Sequence, residues 1–597
     1  MGILLPLLSI FGLTSIFSHI LKVRFTFSLP IVTSILVAIL LLCAVCGILY
    51  YASGFIIIIG LVAQLYSLYA FPNIRKLILQ YKIELFFLAF ITVIYGVFLQ
   101  ARYLYCWDDL AFWSIFTQEL TLYNEIFPQS ALSSVLPSHI HYPRGPSLFH
   151  YFMLYFSGFS DSSVLLAHFI LQMLFLAPIM ANRYWWQTIL LVSLLLLFPV
   201  ITGTTLRSLY NDALVGFIFS SILMIFILEQ NKNKALWLVT PLLLLMPLFR
   251  EIGLVLSLCA TIIISSDLTV NYRQILKTTK SKILVFISLA LLPFITYHLW
   301  FAYVEAHTVI GRDSHSIQRA LEIILSFFDK NSSTKLIAIL FIQSLGRMLT
   351  SAQFLSTYAV LLFAWYCVGK YGKPYKNSFK TMLISSIAAF VIFLLWRFYI
   401  YIFVIDVYKT SNTPIISLDS MVRYSTSYII VFYAIACAYI KETLLTYRLN
   451  KYSIFALLVI TIGIFSFIAN NVLKMPKLTI DNPEAIFKKQ TQCIYDLIQQ
   501  GYKIEYDYRL DSNIALARKQ WRCSKLFYTL APYYTSESRD RCISQPMPPK
   551  GYISTIEHNK INSNIKVNDI LRTSQKYSCD IEYYPMYNNI NILCTEN

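Results

Sequence analysis

Long uninterrupted apolar stretches, separated by short polar ones, run through most of this 597-residue chain. A helix needs about 20 mostly apolar residues to cross a bilayer. The spans this pattern predicts are 3–21, 29–50, 54–72, 84–100, 162–181, 185–202, 212–229, 234–249, 252–266, 283–304, 355–369, 380–404, 423–441 and 453–472. The runs are continuous in Leu, Ile and Phe. A transmembrane β-barrel would instead alternate apolar and polar positions in short segments. The expected fold class is therefore a polytopic α-helical membrane protein of about 14 spans. Residues 3–21 have no charged segment before them and no small-residue cleavage site after them, so they read as a first span, not a signal peptide.

Two apolar segments are too short to cross. Residues 146–158 (PSLFHYFMLYFSG) and 335–352 read as external juxtamembrane helices, the first lying in the outer interface as aromatic-rich helices tend to. After residue 474 the long runs stop and Asn, Tyr and mixed charge take over. Residues 484–500 look helical, and alternating stretches such as Lys503–Tyr506 and Ile553–Ile556 follow. The predicted organisation is a membrane domain at 1–473, with its first large external loop at 101–161, and a small α/β C-terminal domain at 474–597 outside the membrane.

Composition sharpens this picture. The chain is 57% hydrophobic and 13% charged, with a mean hydropathy of +0.62 and a net charge of +18. The excess cations fall in short loops: Lys22/Arg24, Arg75/Lys76/Lys82, Arg183, Lys232/Lys234, Arg273/Lys277/Lys280/Lys282, Lys370/Lys373/Lys376/Lys380 and Lys441/Arg448/Lys451. All lie on one face of the predicted topology, which the positive-inside rule makes the cytoplasm. The basic charge thus points to membrane topology and not to nucleic acid. The same topology puts Asp108, Asp212, Arg250, the 305–334 loop, Arg423 and the tail on the external side.

Cys43, Cys46, Cys259, Cys367 and Cys437 fall in spans, where a thiol acts as a small hydrophobe. Cys493, Cys523, Cys542, Cys579 and Cys594 fall in the tail, where such a density suggests disulfides in an oxidising compartment. Cys523–Cys542 and Cys579–Cys594 are the expected pairs. No Walker loop or GxGxxG is present, and the tail cysteines show no Cys-x-x-Cys or His-rich zinc spacing.

The candidate chemistry centres on Tyr105-Cys106-Trp107-Asp108-Asp109-Leu110-Ala111-Phe112-Trp113. A carboxylate at a membrane–water boundary can remove a proton from an acceptor hydroxyl or amine. The aromatic residues around Asp108 and Asp109 would anchor the pair at the interface. The turn His141-Tyr142-Pro143-Arg144-Gly145-Pro146 is rigid and could return His141 and Arg144 towards the acids; a plain connecting turn is the alternative. Asp212 opens a span, as an N-cap or as a second acid. Arg250-Glu251 interrupts an apolar stretch, where charge is costly and defaults to function. Arg423-Tyr424 opens another span, with arginine suited to bidentate phosphate contact or to plain snorkelling. His168 and His298 read as hydrogen-bonded packing residues. Arg312, Asp313 and His315 lie in an external loop with no diagnostic spacing.

These residues resemble a family. Trp107-Asp108-Asp109 after an early span, Tyr142-Pro143-Arg144-Gly145-Pro146-Ser147-Leu148-Phe149, Asn211-Asp212, Phe249-Arg250-Glu251-Ile252-Gly253 and Met421-Val422-Arg423-Tyr424 are similar to motifs of GT-C glycosyltransferases. The family-39-like branch, with protein mannosyltransferases and lipid A aminoarabinose transferases, is the nearest look. The likeness covers roughly residues 85–440. Arg144 stands where the usual turn has a second proline, and four spans precede the acidic loop where many members have one.

The resemblance implies an inverting transfer of sugar from a polyprenyl-phosphate donor on the external leaflet. Asp108 would be the base and Asp109 its helper. Arg250 falls where the family often has a phosphate-binding Lys, and Asp212 where it has a second acid. Arg250, Arg423 and Arg144 are thus the expected donor-phosphate ligands, with His141, Tyr142, Asp212, Glu251 and Tyr424 around the substrate. A divalent cation would fall to Asp109 and Asp212. The expected partners are the lipid donor, an envelope lipid or glycan acceptor and membrane lipids, with no nucleic acid. The expected location is a bacterial inner membrane, with site and tail periplasmic. Two rivals remain: a lipid-linked oligosaccharide polymerase or ligase, and a lipid-linked glycan transporter or flippase.

Overall fold

The computed structural model describes residues 2–70, 82–99, 104, 108–127, 141–180, 185–203, 208–272, 278–307, 333–400 and 418–446, scattered positions between 455 and 470, and short segments at 504–507, 552–557, 579–584 and 589–594. Four helices come first: α1 (Leu4–Ile20), α2 (Phe25–Val45), α3 (Leu49–Ala70) and α4 (Lys82–Leu99). A π-helical turn (Asp109–Trp113) then runs into α5 (Ser114–Tyr123), followed by the short α6 (Gly145–Met153), α7 (Asp161–Met180), α8 (Trp185–Ile201) and α9 (Asn211–Leu228). Next come α10 (Lys232–Leu245), a 3-10 turn (Met246–Leu248), α11 (Gly253–Asn271) and α12 (Thr279–His307). The last are α13 (Ser333–Leu349), α14 (Ala352–Tyr371), α15 (Lys376–Tyr399) and α16 (Leu418–Thr446).

Each predicted span up to 423–441 coincides with one of these helices. Among the described residues eight helices are long and apolar enough to cross a membrane, and a ninth crossing results if α13 and α14, bent by 52° at their junction, count together. α1 and α8 are apolar but shorter. The chain is a polytopic helical membrane protein. Most of the predicted span 453–472 lies outside the described residues.

Burial arranges the helices in shells. α9 is buried along its whole length, and α7 and α16 nearly so. α9 packs on α16, α7, α10 and α11, and α16 also meets α8, α14, α15 and α13. The α9–α16 approach depends on Gly216, because a Cβ there would sit 2.8 Å from the Ser427 carbonyl oxygen. Small residues let helix backbones close up where no hydrophobic force drives them together. By contrast α3 and α12 leave most of their apolar surface open, with Phe55, Leu65, Leu284 and Leu299 exposed, as lipid contact requires.

The bundle has a polar cluster at each end. At one end the Lys232 ammonium donates to the Phe226, Ile227 and Glu229 carbonyls, closing the C-terminus of α9, and Lys441 donates to Pro178 of α7. These are orphan carbonyls that a helix end must satisfy. Nearby, Asp267 accepts from Ser378 and Asn271. At the other end, the start of α9, α11 and α16 and the finish of α15 meet the Asp108 segment.

Three expectations change. Residues 146–158 do hold a short helix, but every side chain of α6 is buried, against α2, α5 and α7, so it is a core element and not an interfacial one. Residues 335–352 are mostly helix α13, which breaks against α14 and does not lie alone. His298 faces outward beside Phe294 and Tyr297 and is not a buried packing residue.

In the tail, four strands pair antiparallel in the order β1-β2-β4-β3, where β1 is Ile504–Asp507, β2 Tyr552–Glu557, β3 Cys579–Tyr584 and β4 Asn589–Cys594. Of the alternating stretches read as strand-like, residues 504–506 fall in β1 and 553–556 in β2, and Lys503 lies outside the described residues. The register sets Cys579 directly opposite Cys594. The predicted helix at 484–500, Cys493, Cys523, Cys542, and Arg312, Asp313 and His315 of the external loop lie outside the described residues, as do Cys106 and Trp107.

Candidate functional site

The site assembles from loops that the bundle's end brings together. Asp108 sits at the entry to the π-helical turn, and its carboxylate Oδ2 accepts from Arg423 Nη1 at 3.0 Å. Arg250 Nη1 lies 2.5 Å from Asp212 Oδ1 in the first turn of α9. His141 Nε2 lies 3.1 Å from Glu251 Oε1. Residues separated by up to 315 positions thus form linked ion pairs in a small volume. The Tyr424 ring is their hub: its centre is 4.5 Å from the Arg423 guanidinium carbon and 6.0 Å from that of Arg250. Arg423 also faces Tyr210 at 4.6 Å, and Arg250 faces Trp113 at 5.9 Å. Such ring faces attract guanidinium without neutralising it.

Local sequence explains the placement. Gly145 follows Pro143-Arg144, and a Cβ on it would meet the Leu248 carbonyl oxygen at 2.4 Å. Gly253 makes an equally close approach to the Met246 carbonyl, also 2.4 Å. Only glycine lets the His141–Pro146 turn dock on the 3-10 turn, and lets that turn fold onto α11, so that Arg250 and Glu251 are presented between them. Trp300 of α12 donates to the His141 carbonyl at 2.8 Å and pins the same turn from outside. Tyr142 stacks on Trp113, with ring centres 5.3 Å apart and planes at 19°. Burial pushes its phenol above the ordinary range, so it stays a neutral donor.

A second polar chain holds the frame. Thr117 of α5, His150 of α6 and His168 of α7 are hydrogen-bonded in line, each link 3.2 Å. Burial, with His168 beside it, drives His150 well below its usual value, and it is neutral. Asp161 at the start of α7 accepts from the Leu104 backbone N–H at 3.1 Å, tying the chain just before Asp108 to the bundle.

The adjacent acids part company. Consecutive residues on a helical turn point roughly 100° apart. Asp108 faces the arginines, whereas Asp109 is fully buried, and its Oδ1 accepts from the Leu209 N–H at 2.9 Å just ahead of α9. Asp109 Oδ2 has no hydrogen-bond partner. Burial raises its carboxyl well above the usual range, only partly offset by the Leu209 bond, and the bond makes Asp109 a strut between the π-turn and the segment just ahead of α9. Asp108 is raised too, first by burial, with Arg423 pulling it back down and Asp212 pushing it up.

Of the residues singled out in the sequence, Asp108, Asp212, Arg250, Glu251, Arg423, Tyr424, His141 and Tyr142 come together. Arg144 does not join them. It is buried beneath α5, its guanidinium 3.3 Å from the Phe116 ring centre and 5.5 Å from that of Phe127, and its charged neighbour is Glu119. Burial lowers it to about 9. Arg397 was not singled out, yet its guanidinium carbon is 4.2 Å from the Tyr424 ring centre. A charge inside the apolar run 380–404 was the signal that could have found it.

Among the described residues, Asp109 and Asp212 do not suit a shared divalent cation. Among the described residues no three His, Cys, Asp or Glu side chains converge as a metal would need. Asp212 faces Arg250, and Asp109 is turned into the core.

No protein-family model, curated protein or solved structure matches this chain.

Proposed function

We propose that this chain is an integral membrane glycosyltransferase. It would move a sugar from a polyprenyl-phosphate donor to an envelope lipid or glycan acceptor on the external face of a bacterial inner membrane. The observation that carries the reading is the convergence of Asp108, Arg250 and Arg423, from distant parts of the chain, at the end of the bundle opposite the lysines. A base beside two guanidinium groups is what an acceptor and an anionic leaving group need. The lysine end would be cytoplasmic, which puts the site outside. About 14 spans and an external α/β tail complete the proposed architecture, as in the GT-C enzymes the motifs resemble.

In the reaction, Asp108 takes the proton of an acceptor hydroxyl or amine. The acceptor atom bonds to the anomeric carbon as the bond from that carbon to the phosphate oxygen breaks. The polyprenyl phosphate leaves with the electron pair, and the configuration inverts. Preorganised cations aimed at developing charge are commonly the largest single contribution to such a rate. Arg423 has two duties, because it also holds Asp108. Donor phosphate competes for its guanidinium and frees the carboxylate to act. Asp212 keeps Arg250 in place, and Tyr142 and Tyr424 wall the site.

The test is Asp108→Asn in the purified full chain, supplied with a polyprenyl-phosphate sugar and envelope lipid. Turnover should fall by at least about 1,000-fold, given what a general base and the steps it enables contribute. Turnover near wild type would sink the assignment.

A further inference from the structure

Arg397 has no part in the reaction as drawn above. It lies in the last turn of α15 and is only 6% exposed. Its guanidinium carbon is 4.2 Å from the Tyr424 ring centre and 5.8 Å from that of Trp396. Arg423 stands 4.5 Å and Arg250 6.0 Å from the same Tyr424 ring centre. Three guanidinium groups, from α15, from α16 and from the loop before α11, therefore surround one aromatic ring.

A cation in the last turn of a helix is favoured by the helix dipole. That accounts for a positive charge at this position, and lysine would serve as well. It does not account for a planar fork laid against the ring that two other arginines already share. Asp108 holds Arg423 and Asp212 holds Arg250, so two of the forks are already oriented by carboxylates. A multiply charged anion can be shared among forks set around one ring, and phosphoryl oxygens match guanidinium geometry bidentately.

We infer that Arg397 is a third phosphoryl-binding residue of this site, contacting the lipid donor from the α15 side. This rests on the donor reading above. The ligand chemistry is an isoprenoid phosphoryl ester, and one or two phosphoryl groups present the same oxygens.

The experiment titrates farnesyl phosphate and, separately, farnesyl diphosphate into the detergent-solubilised full chain, with calorimetry as the readout. The variants are Arg397→Gln and Arg397→Lys, each with its ligand-free melting temperature. Wild type should bind at least one probe. Arg397→Gln should weaken that binding about tenfold, equivalent to ~1.4 kcal/mol. Arg397→Lys should recover the melting temperature but not the affinity, since charge without the fork is insufficient. A larger loss for the diphosphate than for the monophosphate assigns Arg397 to a second phosphoryl group, and an equal loss assigns it to the first. If wild type and Arg397→Gln bind alike, or Arg397→Lys restores full affinity, the inference is overturned while the donor reading stands. Binding of neither probe by wild type overturns both.

Discussion

Arg423 Nη1 donates to the Asp108 carboxylate at 3.0 Å, so the proposed base and a proposed phosphate ligand are each other's partner. The two roles are mutually exclusive at any instant: a carboxylate held by a guanidinium is a weak base. Burial raises Asp108, and Arg423 is the leading influence opposing it. Because the base must be ionised, activity should rise with pH through this raised value, and the acid limb should lie above the ordinary carboxylate range.

Arg423→Gln then has a signed consequence. Removing the cation withdraws the influence that lowers Asp108, so the acid limb of kcat/KM should move to still higher pH. The plateau should drop about 100-fold, or ~2.7 kcal/mol, the scale seen when one preorganised donor is lost from a developing charge. A pH–rate profile measures both effects. An acid limb that stays in place, or moves down, would remove Arg423 from contact with the base.

Asp212 is buried, and Arg250 is its ion-pair partner at 2.5 Å. Breaking a buried pair from one side leaves a charge without compensation and costs about 3 kcal/mol or more. Asp212→Asn should therefore lower the melting temperature in detergent more than the double variant Asp212→Asn/Arg250→Met does. Simple addition of the two single effects would show that the pair is not coupled.

Charges within or bordering apolar runs made much of the site legible in the sequence: Arg250 interrupts an apolar stretch, and Asp212 and Arg423 each open a predicted span. The helices were legible for the same reason. The division between Asp108 and Asp109 was not, because which of two neighbours faces the arginines depends on the register of the π-helical turn, which the Asp109–Leu209 hydrogen bond holds. Arg397 stands inside the predicted run 380–404, a charge that the pattern marks but gives no role; only Tyr424, from another helix, gives it a purpose. Arg144 misled in the opposite sense. The turn that carries it is as rigid as expected, but Gly145 presses that turn onto Leu248 and directs the side chain beneath α5. The burial of α6 was hidden because nine aromatic-rich residues suit an interface and a core equally well.

Gly145→Ala tests that docking. The added methyl would stand 2.4 Å from a backbone carbonyl oxygen that cannot rotate away, so the turn and the 3-10 segment must separate. Overpacking of this kind costs about 1–3 kcal/mol. Because Arg250 and Glu251 ride on the displaced segment, affinity for a phosphoryl probe should fall together with the melting temperature. A lowered melting temperature with unchanged affinity would show that the turn does not position the site.

The β3–β4 register sets Cys579 opposite Cys594. Directly opposed residues on an antiparallel pair have Cα atoms about 4.5–5.5 Å apart, inside the range a disulfide spans. Full-length chain extracted from membranes in detergent, digested without reductant, should yield one cross-linked peptide joining these two cysteines. Recovery of both as free thiols from oxidising material would rule the pair out and count against an external tail.

Asp109 separates a strut from a catalyst. Its carboxyl is raised above its value in the unfolded chain, so protonation favours the folded state. The stability it contributes is present in full at low pH. It declines as pH rises past the unfolded value of about 3.9 towards the raised folded one, since the unfolded chain ionises first. Asp109→Asn keeps the Leu209 hydrogen bond through its amide oxygen and cannot ionise. The variant should therefore hold its melting temperature from mildly acidic to neutral pH where wild type loses ground, and should retain most of its turnover. Asp109→Ala loses the bond to Leu209 altogether and should melt lower at every pH. If Asp109→Asn instead abolishes turnover with its melting temperature intact, Asp109 takes part in the chemistry and the separation of the two acids is wrong.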